Sequence, residues 1–118
     1  MEKKSNEAKM DYIELPAKDL TKTKAFYERV FGWKFTDYGP DYTSFDDGRL
    51  AGGFTKDRQV VSGGPLIVIY GHDLSATERK VVEAGGQISR GTFSFPGGGR
   101  FHFTDPNGNE LAVWSENS

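Results

Sequence analysis

Few residues in this chain are equipped for chemistry, and they lie in separate stretches. Glu14 alternates with apolar neighbours in Tyr12-Ile13-Glu14-Leu15, which puts a carboxylate on one face of a strand. On a cavity wall, desolvation would suit that carboxylate to general-base or metal-ligand work. On an ordinary wall it pairs with Arg49, Arg100 or a backbone donor and orders the sheet. His102, in Phe101-His102-Phe103, is expected to be a hydrogen-bonded wall residue, with a ligand or base role as the sharper option. Glu110 follows an Asp-Pro-Asn-Gly turn and is expected as a solvated edge charge, while His72 lies in a turn. Ser94-Phe95-Pro96-Gly97-Gly98-Gly99-Arg100 has the glycines of a phosphate cradle but lacks the Lys-Ser/Thr and the following helix. It reads as a mobile flap with Arg100 as an anion contact, the plainer option being a flexible hairpin tip. No nucleophile–base pair is visible, and zero cysteines exclude disulfides, thiolate metal sites and a cysteine nucleophile.

The elements that must position these groups are written twice. Asp19-Leu20, a helical run and Gly32 return as Asp73-Leu74, a helical run and Gly86, at one constant offset. An apolar strand precedes each copy and short β-rich segments follow it. One supersecondary unit used twice leaves a groove between its copies. The aspartates are expected N-caps and the glycines terminators. Leu20, Phe26, Tyr27, Val30 and Phe31 form the buried stripe of the first helix; Leu74, Val81 and Val82 form that of the second. The continuous run Leu66-Ile67-Val68-Ile69-Tyr70 predicts a strand buried on both faces. Trp33 and Trp114 are expected as core or rim aromatics. The reading is α+β: a solvated tail over residues 1–9 and one domain over 10–118. Within it the first βαβββ module covers about 10–55, a polar linker 56–64 and the second module about 65–115.

Bulk composition agrees with one small domain. The chain has 118 residues, enough to bury roughly 65% of its unfolded surface. A content of 36% hydrophobic and 14% aromatic residues can fill a core. Net charge is −2 and the basic residues are scattered, so nucleic acid is not an expected partner. No apolar run is long enough for a membrane span or a secretory signal, and the expected location is cytoplasmic.

The tandem βαβββ pattern, with Asp-Leu opening each helix, Ala25-Phe26-Tyr27 within the first, Phe31-Gly32-Trp33 after it and Asp105-Pro106-Asn107-Gly108-Asn109 before the last strand, resembles the vicinal oxygen chelate superfamily. That family includes glyoxalase I, bleomycin-resistance proteins and extradiol dioxygenases. The resemblance implies a cup-shaped mixed sheet with helices outside, a homodimer, and a divalent metal held by one residue from the first and last strand of each module. The positions it points to here are Tyr12, Ala51, Leu66 and Ala112. A phenol is a marginal ligand and alkyl groups offer no lone pair, so no cofactor is expected. Strand parity then places Glu14, Val68, Glu110 and Trp114 on the cup wall beside these positions, with His102 and Arg100 from the neighbouring strand.

Three functions are compatible with this pattern. The first is a metal-free protein that binds a small hydrophobic or planar molecule through Tyr12, Glu14, Leu66, Val68, Arg100, His102, Ala112 and Trp114. The second is an enzyme of lyase, isomerase or dioxygenase type, with Glu14 as base or with a relocated metal on Glu14, His102 and Glu110. The third is an interaction protein that acts through its surface.

Overall fold

The computed structural model describes residues 3–117. Lys3–Asn6 form a single 3₁₀ turn within the expected tail, whose Met1 and Glu2 lie outside the described residues, as does Ser118. The ordered elements are β1 (Tyr12–Pro16), α1 (Leu20–Phe31), β2 (Lys34–Asp37), β3 (Tyr42–Asp46), β4 (Ala51–Thr55), β5 (Ile67–Tyr70), α2 (Leu74–Glu83), β6 (Gln87–Phe95), β7 (Gly98–Thr104) and β8 (Glu110–Ser115). They build two four-stranded mixed sheets of identical topology, β1-β4-β3-β2 and β5-β8-β7-β6. In each, the first strand runs parallel to the last and the other pairings are antiparallel.

The repeat holds down to the helix caps. Asp19 and Asp73 both adopt extended backbone and accept from the third residue on, Lys22 N at 2.9 Å and Ala76 N at 3.0 Å. It slips at the other end. Gly32 takes the left-handed conformation that ends α1, at φ 74°, but its counterpart after α2 is Gly85, at φ 101°. Gly86 serves packing instead. A Cβ there would sit 2.8 Å from both Phe26 Cε1 and Val81 Cγ1, so its bareness lets α1 lean onto the second module.

The core lies between the helices and one face of each sheet. Leu15, Phe26, Tyr27, Val30, Trp33, Phe45, Phe54, Phe101, Phe103, Leu111 and Val113 are all buried in it. The expected α1 stripe is correct for Phe26, Tyr27 and Val30, with Leu20 and Phe31 partly buried. Trp33 is a core residue, sandwiched between Tyr27 at 4.6 Å and Phe45 at 4.5 Å.

Three expectations need correction. In α2, Val82 is 54% exposed rather than inward, because only Leu74 and Val81 meet the core. The strand β5 is not buried on both faces: Ile67 and Ile69 pack on the core, but Leu66, Val68 and Tyr70 remain 37–49% exposed. The glycine-rich segment is a tight β6–β7 turn and not a flap. Gly98 and Gly99 already belong to β7 and are buried, and a Cβ at Gly98 would overlap the Ser115 carbonyl.

The Asp105–Asn109 turn fastens the modules together. Asn107 Oδ1 accepts Lys18 N at 2.8 Å while its Nδ2 donates to Thr23 Oγ1 at 2.8 Å. Asn109 Nδ2 donates to the Pro16 carbonyl at 2.8 Å, and the buried Tyr27 hydroxyl donates to Asp105 Oδ2 at 2.9 Å. One turn of the second module thus occupies the free polar groups around the start of α1. Neither helix is long and apolar enough to cross a membrane.

Candidate functional site

Alternation along the strands decides what the sheets present away from the core. On the first sheet, Ile13, Leu15, Phe45 and Phe54 turn inward, so Tyr12, Glu14, Tyr42 and Gly53 share the opposite face. On the second, Phe101, Phe103, Leu111 and Val113 turn inward, leaving Val68, Tyr70, Arg100, His102, Ala112 and Trp114 averted. These averted faces carry the predicted site residues.

On the first face three side chains form a hydrogen-bonded series. Tyr42 Oη donates to Glu14 Oε2 at 3.1 Å, and the hydroxyls of Tyr12 and Tyr42 lie 2.5 Å apart. Tyr42 has one proton and spends it on the carboxylate, so Tyr12 is the donor in the phenol–phenol bond. Gly53 makes the arrangement possible, because a Cβ there would overlap the Tyr42 hydroxyl and lie 2.7 Å from that of Tyr12. Burial of its hydroxyl, then the bonds to Tyr12 and Glu14, holds Tyr42 well above the usual phenol range. Glu14 differs from expectation in two ways. It is exposed, and its partner is a tyrosine on the same sheet rather than an arginine.

On the second face Glu110 is no bare edge charge. Its Oε2 lies 3.1 Å from His102 Nδ1 and accepts from Ser89 Oγ at 3.3 Å. The His102 side chain is 11% exposed and that of Glu110 52%, so the carboxylate reaches from solvent to a buried ring. The Phe93 ring lies 6.0 Å from that ring, with the Arg90 guanidinium 3.7 Å from the Phe93 centroid and the Arg100 guanidinium 5.5 Å from it. Arg100 Nε and His102 Nε2 are buried and have no hydrogen-bond partner among the described residues. Nearby, Trp114 meets Tyr70 edge-on at 5.5 Å, and the Tyr70 hydroxyl donates to Glu116 Oε1 at 2.5 Å. His72 is an exposed turn residue whose carbonyl accepts from Ser115 Oγ at 3.1 Å.

The four metal positions implied by resemblance fail a donor test. Ala112 is fully buried, Ala51 and Leu66 offer only alkyl groups, and the Tyr12 oxygen is tied to Tyr42. Nor does one chain assemble the relocated set. His102 and Glu110 meet, but Glu14 stands on the other sheet, and among the described residues no three His, Asp or Glu side chains are grouped to hold an ion. A shallow concavity lined by Ala17, Lys18, Lys56, Arg58, Gln59 and Val60 lies beside the linker and contains none of the site residues. Sequence reasoning missed Tyr42, Gly53 and Phe93. The first two are diagonal neighbours across the β3–β4 pair, in the register Ser44↔Gly53 and Tyr42↔Thr55, and only that register brings them to Tyr12.

Residues 9–113 match the model of the Glyoxalase/Bleomycin resistance protein/Dioxygenase superfamily. Two curated relatives, CFP32 of Mycobacterium bovis and of Mycobacterium tuberculosis, bear a glyoxylase name and are 28% identical over 91% of this chain. The chain spans 45% of their length. Among solved structures, a glyoxalase/bleomycin resistance protein/dioxygenase family enzyme from Burkholderia phytofirmans superposes with a TM-score of 0.78 at 16% identity, covering 90% of this chain and 98% of the other. The fosfomycin resistance protein FosX from Mesorhizobium loti gives 0.75 at 13% identity, with 92% of each chain covered. A lactoylglutathione lyase from Agrobacterium tumefaciens gives 0.73 at 19%, covering 92% and 93%. At these identities the likeness is one of fold.

Proposed function

The chain belongs to the Glyoxalase/Bleomycin resistance protein/Dioxygenase superfamily, and from that premise we propose that it binds a small hydrophobic or planar molecule between the averted faces of its two sheets, without the metal site usual in the family. The observation that carries this reading is the exposure of apolar and aromatic side chains on those faces: Tyr12 at 45%, Leu66 at 37%, Val68 at 42% and Tyr70 at 49%. Exposed apolar surface of this kind marks a binding site or an interface. The replacement of metal donors by Tyr12, Ala51, Leu66 and Ala112 supports the metal-free part.

A second copy of the chain completes the groove in this proposal. Both β1 and β5 are edge strands of their sheets, with no neighbouring strand on the outer side among the described residues. The same strands carry the exposed apolar residues, so a partner chain laid along them would cover both liabilities at once. A cytoplasmic location belongs to the same proposal.

One observation favours a second reading, that of an enzyme. The Tyr12–Tyr42–Glu14 series runs from an exposed phenol to a carboxylate, which is the layout of a proton relay with Glu14 as final acceptor.

Thermal-shift measurement separates the metal-free reading from a metal enzyme. Planar apolar compounds, such as naphthalene sulfonamides and acridines, are expected to raise the unfolding temperature, and Ni²⁺, Zn²⁺, Mn²⁺ and Fe²⁺ are expected to leave it unchanged. Stabilisation by a metal, with about one ion per chain in elemental analysis, would overturn the metal-free reading.

A further inference from the structure

Buried polar groups in folded proteins are hydrogen-bonded in the great majority, so each one left over calls for a reason. Arg100 Nε and His102 Nε2 are two such groups, and they are not scattered. They lie two residues apart on the same face of β7, about 6.6 Å apart along the strand by its rise, with the inward Phe101 between them. Both lie close to one ring, Phe93. His102 is nine-tenths buried.

The chemistry of the two atoms specifies what they lack. Arg100 Nε–H is a donor only and requires an acceptor oxygen. On His102, Nδ1 faces the Glu110 carboxylate at 3.1 Å and therefore carries a proton. That fixes the ring and leaves Nε2 to share one further proton with a ligand, whichever of the two atoms holds it. A carboxyl group meets both requirements: one oxygen accepts from Arg100, and the other shares a proton with His102. Charge points the same way. The guanidiniums of Arg90 and Arg100 both lie over the Phe93 ring, and the carboxylate that meets His102, Glu110, is already engaged by His102 and Ser89. The surroundings, Phe93, Val68, Ala112 and Trp114, suit an apolar body behind the acid.

We propose that Arg100 and His102, the latter oriented by Glu110, anchor the carboxylate of a small apolar monocarboxylic acid, reached when the Phe93 ring swings aside. This rests on the binding reading above and adds the ligand's chemical class. Phe93 is the cover because it is half-buried over both groups and is carried by β6, whose pairing with β7 shifts register on either side of Arg90. A bulged edge segment can move its side chain without unpairing the central strands. Glu110 acts through His102 and is a positioning residue.

The proposal is tested by calorimetric titration of the full chain with benzoate and hexanoate, each beside its neutral carboxamide. The acids are expected to bind at least about tenfold more tightly than the amides, as for a hydrogen bond to a charged group. Arg100→Gln and His102→Gln should each remove that preference, provided circular dichroism shows the variant folded. Phe93→Ala should strengthen acid binding by removing the cover. Equal binding of acid and amide would overturn the carboxylate anchor while leaving the apolar groove intact. Failure of both acids to bind wild type and Phe93→Ala would also overturn it, whereas failure of the neutral planar compounds to stabilise the protein would count against the groove itself. If benzoate bound only after Glu14→Gln, the missing acceptor would be a carboxylate from a second copy, and the ligand proposal would fail.

Discussion

Asp105 shows how much one side chain can carry in this protein. It is buried, and burial pushes its carboxyl above the ordinary value of 3.8, although hydrogen bonds from Asn109, Tyr27 and Asn107 pull the other way. The bond from Tyr27 joins the second module's turn to the heart of α1, and burial, with that same contact, drives the Tyr27 phenol far above its ordinary range. Because the folded value is raised, the stability that Asp105 contributes is complete below about pH 3.8 and declines as pH climbs through the folded value. Urea unfolding of wild type and Asp105→Asn across pH 3.5 to 7 should show the wild type losing its advantage as pH rises. A gap independent of pH would contradict this. On the averted faces the decisive residues are less obvious in type. Gly53 is required because two tyrosine hydroxyls converge where its side chain would be, and Phe93 matters because it roofs two unpaired nitrogens.

At the level of elements, the join between modules is made by α1 against the second sheet. Phe26 is 1% exposed, meets Tyr27 edge-on at 4.9 Å and Phe103 at 6.0 Å, and rests over Gly86. Phe26→Ala should therefore cost about 3–5 kcal/mol in chemical denaturation, and a loss under about 1 kcal/mol would place the stripe elsewhere. The repeat, both helix caps and most of the α1 stripe were legible in the sequence because caps and helical periodicity are local signals. The burial of β5 was not. Ile67-Val68-Ile69-Tyr70 reads as uniformly apolar whether or not a layer covers its second face. The meeting of Glu110 with His102 was legible through strand parity, which had grouped them with Glu14, but the direct bond depends on the β7–β8 register across the Asp105–Asn109 turn rather than on spacing. Glu14 was correctly placed on the averted face, but its partner Tyr42 arrives through the β3–β4–β1 pairing, and no pattern in one strand announces that.

For the molecule as a whole, the two sheets are separate and both their first strands are open edges. Light scattering coupled to size exclusion should give the mass of two chains, falling to one on Val68→Glu, which puts a charge on the exposed apolar stripe. A single-chain mass for wild type at every concentration would remove the second copy from the groove. The turn at Asp105–Asn109 also bears on how the protein comes into being. Its bonds to Pro16, Lys18, Thr23 and Tyr27 join residues 78 to 93 positions apart. The first module therefore waits on the ribosome with the start of α1 unfastened until translation has passed Asn109. Such distant closures make for slow folding, and the exposed edge β1 is at risk of mispairing for the whole interval.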